Sequence, residues 1–493
     1  MPTTPFDPVP SATRVPAVVV RAVATGSEPA PVLGVPVRTE GEVPTAVGLS
    51  REALATWGFS GTAGQTLVLP REEGAVVAVG VGAEPSPADV RDAAAAFARA
   101  AAREARLALL LPDADDAAAQ AAVEGVLLAR YRYDELRTPD PDTFAELGEV
   151  VLHVDPDQVE TAARGAARGH VLARAAAISR DLATTPGGHL DAPGLADVAQ
   201  RLADAAGLQV QVYDKAACEE MGFGGLLGVN AGSVREPRMI RIDYQPAGGS
   251  DRHLGLVGKG ITYDSGGISL KPSNAMHAAM KMDMTGAGAI LAAMTVLREL
   301  EVPVRVTAYL ACTDNMPSGS ATKLGDVLTT RAGRTIEVVN TDAEGRLVMS
   351  DAIALANEDE VDAIIDIATL TGAALMALGP LTAAVFGNDD TLLTQVEEAA
   401  RSTDERVWRM PLDRRYRKWL NSEVADIKNL GGESAGSIIA ALFLAEWVGD
   451  TPWAHLDIAG PMLADADEAW RNKGATGYGA RLLVEAAERF AAG

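Results

Sequence analysis

The chain reads as an α/β protein in two unequal parts. An N-terminal α/β domain spans residues 1–156, a linking helix spans 157–186, and a larger C-terminal α/β domain spans 187–493, built on a central mixed sheet flanked by helices. Three observations predict this. Short Val/Leu-rich runs alternate with Ala-rich helical stretches along most of the chain. The 493 residues exceed one ordinary domain. A long helical pattern from Asp157 to about Ala183 ends at Thr184-Thr185-Pro186-Gly187-Gly188, where proline and paired glycines stop a helix and mark a boundary.

The N-terminal elements come first. Strands are expected at Thr66–Leu69 and Ala75–Val79, and helices over Pro87–Arg106 and Ala114–Tyr131. The acidic residues here fall on helices or in Asp/Pro turns, where solvation accounts for them, so this part is assigned a structural or assembly role. Beyond residue 186, strands are expected at Leu254–Val257, Val304–Leu310, Thr335–Val339 and Ala363–Ile367. They alternate with helices near Gly286–Leu300 and Leu347–Asn357, the order of an open sheet with helices on both faces.

Composition narrows the function classes. Hydrophobic residues make up 48% and charged residues 22%, which suits packed domains. The net charge of −24 repels phosphate backbones, so nucleic acid is not an expected partner. Cys218 and Cys312 are too few for a disulfide framework and are expected as buried free thiols. No basic and apolar leader opens the sequence, and the apolar stretch Ala363–Gly387 is interrupted by Asp366, glycines and Pro380. A cytoplasmic protein without membrane association is therefore expected.

Polar residues cluster where apolar strands end. Val257 to Lys271 carries Lys259, Asp264 and Lys271 among four glycines, at the strand-end position where open sheets bind ligands. A phosphate-binding loop needs a Gly-x-x-x-x before Gly-Lys and a Ser/Thr after it, and Gly258-Lys259 has neither. In Val338-Val339-Asn340-Thr341-Asp342-Ala343-Glu344-Gly345-Arg346-Leu347, an extended backbone would point Asp342, Glu344 and Arg346 to one side. Carboxylates that close repel unless a cation neutralises them. Taken singly, Asp342, Glu344 and Asp283 are each explained as helix caps. Together with Asp264 they form an oxygen-ligand quartet that suits two divalent ions. The six histidines show no metal-ligand spacing, and His455 reads as a satisfied core residue.

The segments Gly258 to Gly267 and Asn340 to Leu347 together resemble the leucyl aminopeptidase, or cytosol aminopeptidase, family, whose signature is the second segment. Thr369 to Ala373, Ala425 to Asn429 and His455 to Gly460 extend the likeness, which runs from about Ala173 to the C-terminus. The resemblance implies a metallo-exopeptidase in which Lys259, Asp264, Asp283, Asp342 and Glu344 bind two divalent ions, zinc or manganese, with Lys259 ligating as the neutral amine. It implies that Lys271 polarises the scissile carbonyl and that Arg346 holds a bicarbonate acting as base. It further implies a hydrophobic substrate pocket including Met280, Thr369, Leu370, Gly372, Ala459 and Met462, short peptide substrates with leucine preferred, and a homo-hexamer. The chain departs from the family between Lys271 and Asp283. Met276-His277-Ala278-Ala279-Met280-Lys281 is one residue longer and lacks an acidic pair, so a bulge is expected there. Two other classes fit the residues less well. An idle regulatory or DNA-binding assembly would show a lost ligand or a basic stripe, and a two-metal phosphoesterase would not need the signature octapeptide.

Overall fold

The computed structural model describes residues 6–22, 31–138 and 145–493, so the opening Met1–Pro5, read above for a leader, lies outside the described residues. The chain forms two compact units, one of Met1–Ala177 with Ala464–Gly474, the other of Ile178–Leu463 with Ala475–Gly493. The helix Val159–Thr184 carries the chain from the first to the second, and the change of unit falls inside it. The short return of Ala464–Gly474 to the first unit has no counterpart in the sequence expectation. Its anchor is Trp470, 2% exposed among that unit's core residues.

The first unit is built on strands β1 (Ala17–Ala22), β2 (Val32–Arg38), β3 (Thr66–Arg71), β4 (Gly74–Gly82), β5 (Arg106–Leu110) and β6 (Glu149–Val154), in the order β1-β6-β5-β2-β4-β3. All pairs are parallel except β3 with β4. The expected helix over Pro87–Arg106 ends at Ala100, because Arg106–Leu110 is claimed as a strand by neighbours on both sides. Its start is fixed locally: Ser86 and Asp89 cap each other's backbone reciprocally.

The second unit carries an eight-stranded mixed sheet. Its members are β7 (Gln209–Tyr213), β8 (Arg238–Tyr244), β9 (His253–Asp264), β10 (Arg305–Asn315), β13 (Ala363–Ala368), β14 (Ala383–Gly387), β15 (Val407–Arg409) and β17 (Trp453–Asp457), in the order β15-β14-β17-β13-β9-β10-β8-β7. A separate three-stranded sheet holds β11 (Val327–Thr329), β12 (Thr335–Glu337) and β16 (Ile427–Lys428), in the order β11-β12-β16. The central strands β17, β13, β9 and β10 run parallel, so their carboxyl ends open at one edge. Ile364, Ile365 and Ile367 are fully buried in β13, each contributing about 1.5–3 kcal/mol of hydrophobic stabilisation.

The structure corrects three readings here. β9 does not end at Val257 but continues through the glycines to Asp264, so Lys259 stands in a strand and not in a loop. The glycines serve packing: a Cβ on Gly258 would lie 2.8 Å from the Cα of Ala287, in the helix Thr285–Met294. That helix also stops short of the expected Leu300. Around the longer segment, Ala275–Ala278 forms one helical turn capped by Asn274, and Ala279–Met282 tightens into a 3-10 turn. The segment is thus wound into helical turns where a bulge was expected.

Candidate metal centre

Asp264 ends β9, Asn315 ends β10, Thr369 follows β13 and Asp457 ends β17, so the carboxyl edge of the sheet supplies a ring of polar groups. Two ammonium groups organise the carboxylates. Lys259 Nζ lies 2.7 Å from Asp283 Oδ2 and 2.8 Å from Glu344 Oε1, and donates to the Thr369 carbonyl at 2.9 Å. Lys271 Nζ lies 2.8 Å from Asp264 Oδ2 and 2.6 Å from Asp342 Oδ1. Carboxylate oxygens of Asp264, Asp342 and Glu344 all fall within 4.8 Å of one another. All five expected ligands and Lys271 thus converge.

The helix-cap explanations do not hold. Glu344 sits at the N-cap of the helix Gly345–Glu358 but caps nothing, since its carboxylate turns to Lys259. Asp283 likewise precedes the helix Thr285–Met294 and bonds Lys259 and the Thr369 hydroxyl, the latter at 2.7 Å. The extended geometry expected for Asp342, Glu344 and Arg346 is also corrected: residues 341–342 turn, and Arg346 lies in the first helical turn. Gly345 permits this, because a Cβ there would meet Lys259 Cε at 2.7 Å.

Several charged groups are displaced from their ordinary ionisation. Burial raises the carboxyl groups of Asp283, Glu344 and Asp342, and the charge of Asp264 raises each further. Burial works against the Lys259 ammonium, yet Asp283, Glu344 and Asp264 outweigh it and hold the amine protonated. Burial alone therefore does not discharge Lys259. A cation arriving among the same carboxylates would have to displace its proton. The guanidinium of Arg346 is lowered to about 10 by burial. It donates from Nη1 to the Asn429 carbonyl at 2.8 Å, while its Nε is buried without a hydrogen-bond partner among the described residues. Glu344 Oε2 is a buried oxygen without a hydrogen-bond partner among the described residues, as expected where a cation would complete the set. With three clustered carboxylates and an amine beside them, the donor set fits hard or borderline divalent ions.

The residues expected to contact substrate are placed as follows. Thr369 commits its hydroxyl to Asp283, so it positions a carboxylate. The backbone amides of Leu370 and Ala459 both donate to Asp457 Oδ1, at 3.2 and 3.3 Å, which draws two of the expected pocket segments together. Met280 and Met462 are buried at 7% and 3% exposure, and Gly372 is exposed at the start of the helix Gly372–Leu378. His455 bonds Asp366 through Nδ1 at 2.5 Å, but its buried Nε2 has no partner among the described residues, so it is satisfied on one side only. Cys218 and Cys312 are buried free thiols, and burial pushes the Cys218 thiol up to about 12.

Sequence reasoning missed Asn315. Its amide donates to Asp264 Oδ1 at 2.8 Å and to the Thr341 carbonyl at 2.9 Å, linking one carboxylate to the segment that carries Asp342. The available signal was a lone asparagine closing an apolar strand.

Known proteins give a consistent picture. The family model for the cytosol aminopeptidase family, catalytic domain, matches residues 177–484, and that for the N-terminal domain matches residues 42–140. A probable cytosol aminopeptidase of Roseiflexus castenholzii is 45% identical over 444 residues, covering 87% of this chain and 90% of that protein. One from Streptomyces coelicolor is 43% identical over 466 residues, covering 89% and 90%. The solved structure of the bottromycin maturation enzyme BotP in complex with Mn superposes with a TM-score of 0.86 at 38% identity, covering 94% of this chain and all of that one. Among the described residues, no helix is long and apolar enough to cross a membrane.

Proposed function

Because the chain belongs to the cytosol aminopeptidase family, and so is a peptide-bond hydrolase, we propose that it releases N-terminal residues, leucine and other hydrophobic ones by preference, from short peptides with the aid of two divalent ions. The observation that carries the metal reading is the convergence of Asp264, Asp342 and Glu344 within 4.8 Å, with Glu344 Oε2 left without a hydrogen-bond partner among the described residues. Lys259, Asp264, Asp283, Asp342 and Glu344 would hold the ions, manganese or zinc, with Lys259 giving up its proton to ligate. Two such ions supply Lewis-acid polarisation of the carbonyl and an acidified water.

The chain's own groups do the rest. Lys271, 18% exposed, is the more accessible of the two ammonium groups and donates to the scissile carbonyl oxygen, stabilising the charge that develops there. Arg346 stays protonated at neutral pH and so cannot itself take up a proton. Its unpartnered Nε supports the holding of an anion, with bicarbonate as the base. Met280, Leu370, Gly372, Ala459 and Met462 would shape the side-chain pocket, where thioethers adapt to aliphatic substrates. By family likeness the enzyme works in the cytoplasm as a homo-hexamer, for which a light-scattering mass of six chains is the check.

The test is hydrolysis of leucine p-nitroanilide after chelation and after restoring Mn²⁺ or Zn²⁺, with Asp342→Ala alongside. Activity restored by metal in the wild type and absent in the variant is expected. Silence of the wild type with both metals and with a panel of other N-terminal residues would remove the reading.

A further inference from the structure

The segment that carries Asp342 and Glu344 is not held by its own secondary structure. After β12 ends at Glu337, residues 338–344 form no helix and no strand. One buried side chain spans them. Asn429, fully buried, directly follows β16, which pairs in parallel with β12 through Ile336↔Ile427 and Glu337↔Lys428. Its Oδ1 accepts from the amides of Val339 and Asn340 at 2.9 and 3.3 Å, and its Nδ2 donates to the carbonyls of Asn340 and Ala343 at 2.6 and 3.3 Å. An amide side chain offers two acceptor sites and two donors, and here all four are used on one loop. The residue's main chain is engaged too: its amide donates to the Glu337 carbonyl at 3.0 Å, and its carbonyl accepts from Arg346 Nη1 at 2.8 Å.

We propose that Asn429 is a positioning residue for the metal-dependent reaction, fixing in one register the backbone that presents Asp342 and Glu344 and the guanidinium of Arg346. Leucine or alanine at 429 would supply none of the four bonds, and a hydroxyl would supply at most part of them. The inference rests on the reading that Asp342 and Glu344 hold metal. Its reach comes from geometry: carboxylates presented by a loosened backbone no longer converge as the metal ligands must, and such supporting contacts set metal affinity.

The experiment uses the full chain, stripped of metal, with Asn429→Ala and the milder Asn429→Ser, which keeps a polar group should the alanine variant not fold. Asp426→Ala is the control. Asp426 is exposed in the same segment and anchors it to Thr335 by two hydrogen bonds, away from the 339–343 loop. Mn²⁺ is titrated by calorimetry, and kcat and KM are measured at saturating Mn²⁺. At position 429, Mn²⁺ affinity should weaken about 10- to 100-fold, with kcat falling more than KM rises. Asp426→Ala should lower the unfolding temperature but leave Mn²⁺ affinity and kcat unchanged.

Wild-type Mn²⁺ affinity and kcat in a folded position-429 variant would overturn the proposal. So would an equal loss in Asp426→Ala, which would mark a general effect of stability. A wild type that binds Mn²⁺ but hydrolyses nothing would sink the aminopeptidase reading instead, while the calorimetry would still decide the role of Asn429.

Discussion

Two lysines, each spanning two carboxylates, divide the site into halves that differ in their access to water. In the inner half, Lys259, Asp283 and Glu344 are 3–4% exposed. In the outer half, Lys271 is 18% and Asp342 34% exposed, and only Asp264 is as buried as the inner groups. The same pairing of charges therefore has different consequences. Inside, every group depends on its partner, because an unpaired charge at low dielectric is costly. Outside, Lys271 and Asp342 keep partial contact with water, and Asp264 keeps the amide of Asn315 and the backbone N–H of Gly266 whatever Lys271 does. The inner half belongs to the fold as much as to the chemistry, and the outer half is free to serve a substrate.

Removing each lysine sharpens the contrast most. Lys259→Met should destabilise the metal-free protein by about 3–5 kcal/mol, since Asp283 and Glu344 lose their buried counter-charge. Urea unfolding in the presence of a chelator measures this, and a wild-type midpoint would break the distinction between the halves. Lys271→Met should cost less stability than Lys259→Met, yet lower kcat/KM by about 10²- to 10³-fold on leucine p-nitroanilide, as loss of a donor to a developing oxyanion does. The reverse ranking, stable but inactive Lys259→Met beside unstable but active Lys271→Met, would exchange the roles assigned here.

A smaller effect separates the halves by crowding. Gly345→Ala places a methyl 2.7–2.8 Å from the end of the Lys259 side chain, and should destabilise by about 1–3 kcal/mol while weakening Mn²⁺ binding in calorimetry. The smallest expected signal is in pH. Glu344 titrates above its ordinary 4.5 because burial and the charge of Asp264 favour its protonated form. Between 4.5 and that raised value the folded metal-free chain holds more protons than the unfolded one, so stability falls as pH rises through the window. Glu344→Gln should flatten this part of the stability profile. An unchanged slope would mean that Glu344 does not titrate as a buried inner group.

The contrast between the halves was only partly legible in the sequence. The clusters around Asp264 and Asp342 stood out because glycine and carboxylates follow apolar runs, and a strand followed by such a run has few other uses. Lys259 was visible as a residue but misplaced in a loop, because glycines that read as a flexible connection are packing positions in β9, Gly258 against the helix Thr285–Met294 and Gly260 against Cys312 of β10. The bonds of Asn315 and the four-bond clamp of Asn429 could not be read locally, since their partners lie 26 or more residues away. The substrate pocket was the least legible part. Thr369 turned out to serve Asp283, and Leu370 and Ala459 both donate their backbone amides to Asp457.

What the sequence determined by itself is the inventory: an α/β chain with its reactive groups at strand ends, because hydrophobic periodicity and the glycine and carboxylate spacing are local properties. Tertiary structure decided which ammonium faces which carboxylates, which of those pairs is shielded from water, and that Glu344 and Asp283 turn away from helix capping toward Lys259. Those outcomes depend on the parallel register of β9, β10 and β13, which brings together residues far apart in the chain, such as Leu254 with Val306 and Ala363, and on the dielectric that their packing creates. Neither is written in any short stretch of the chain.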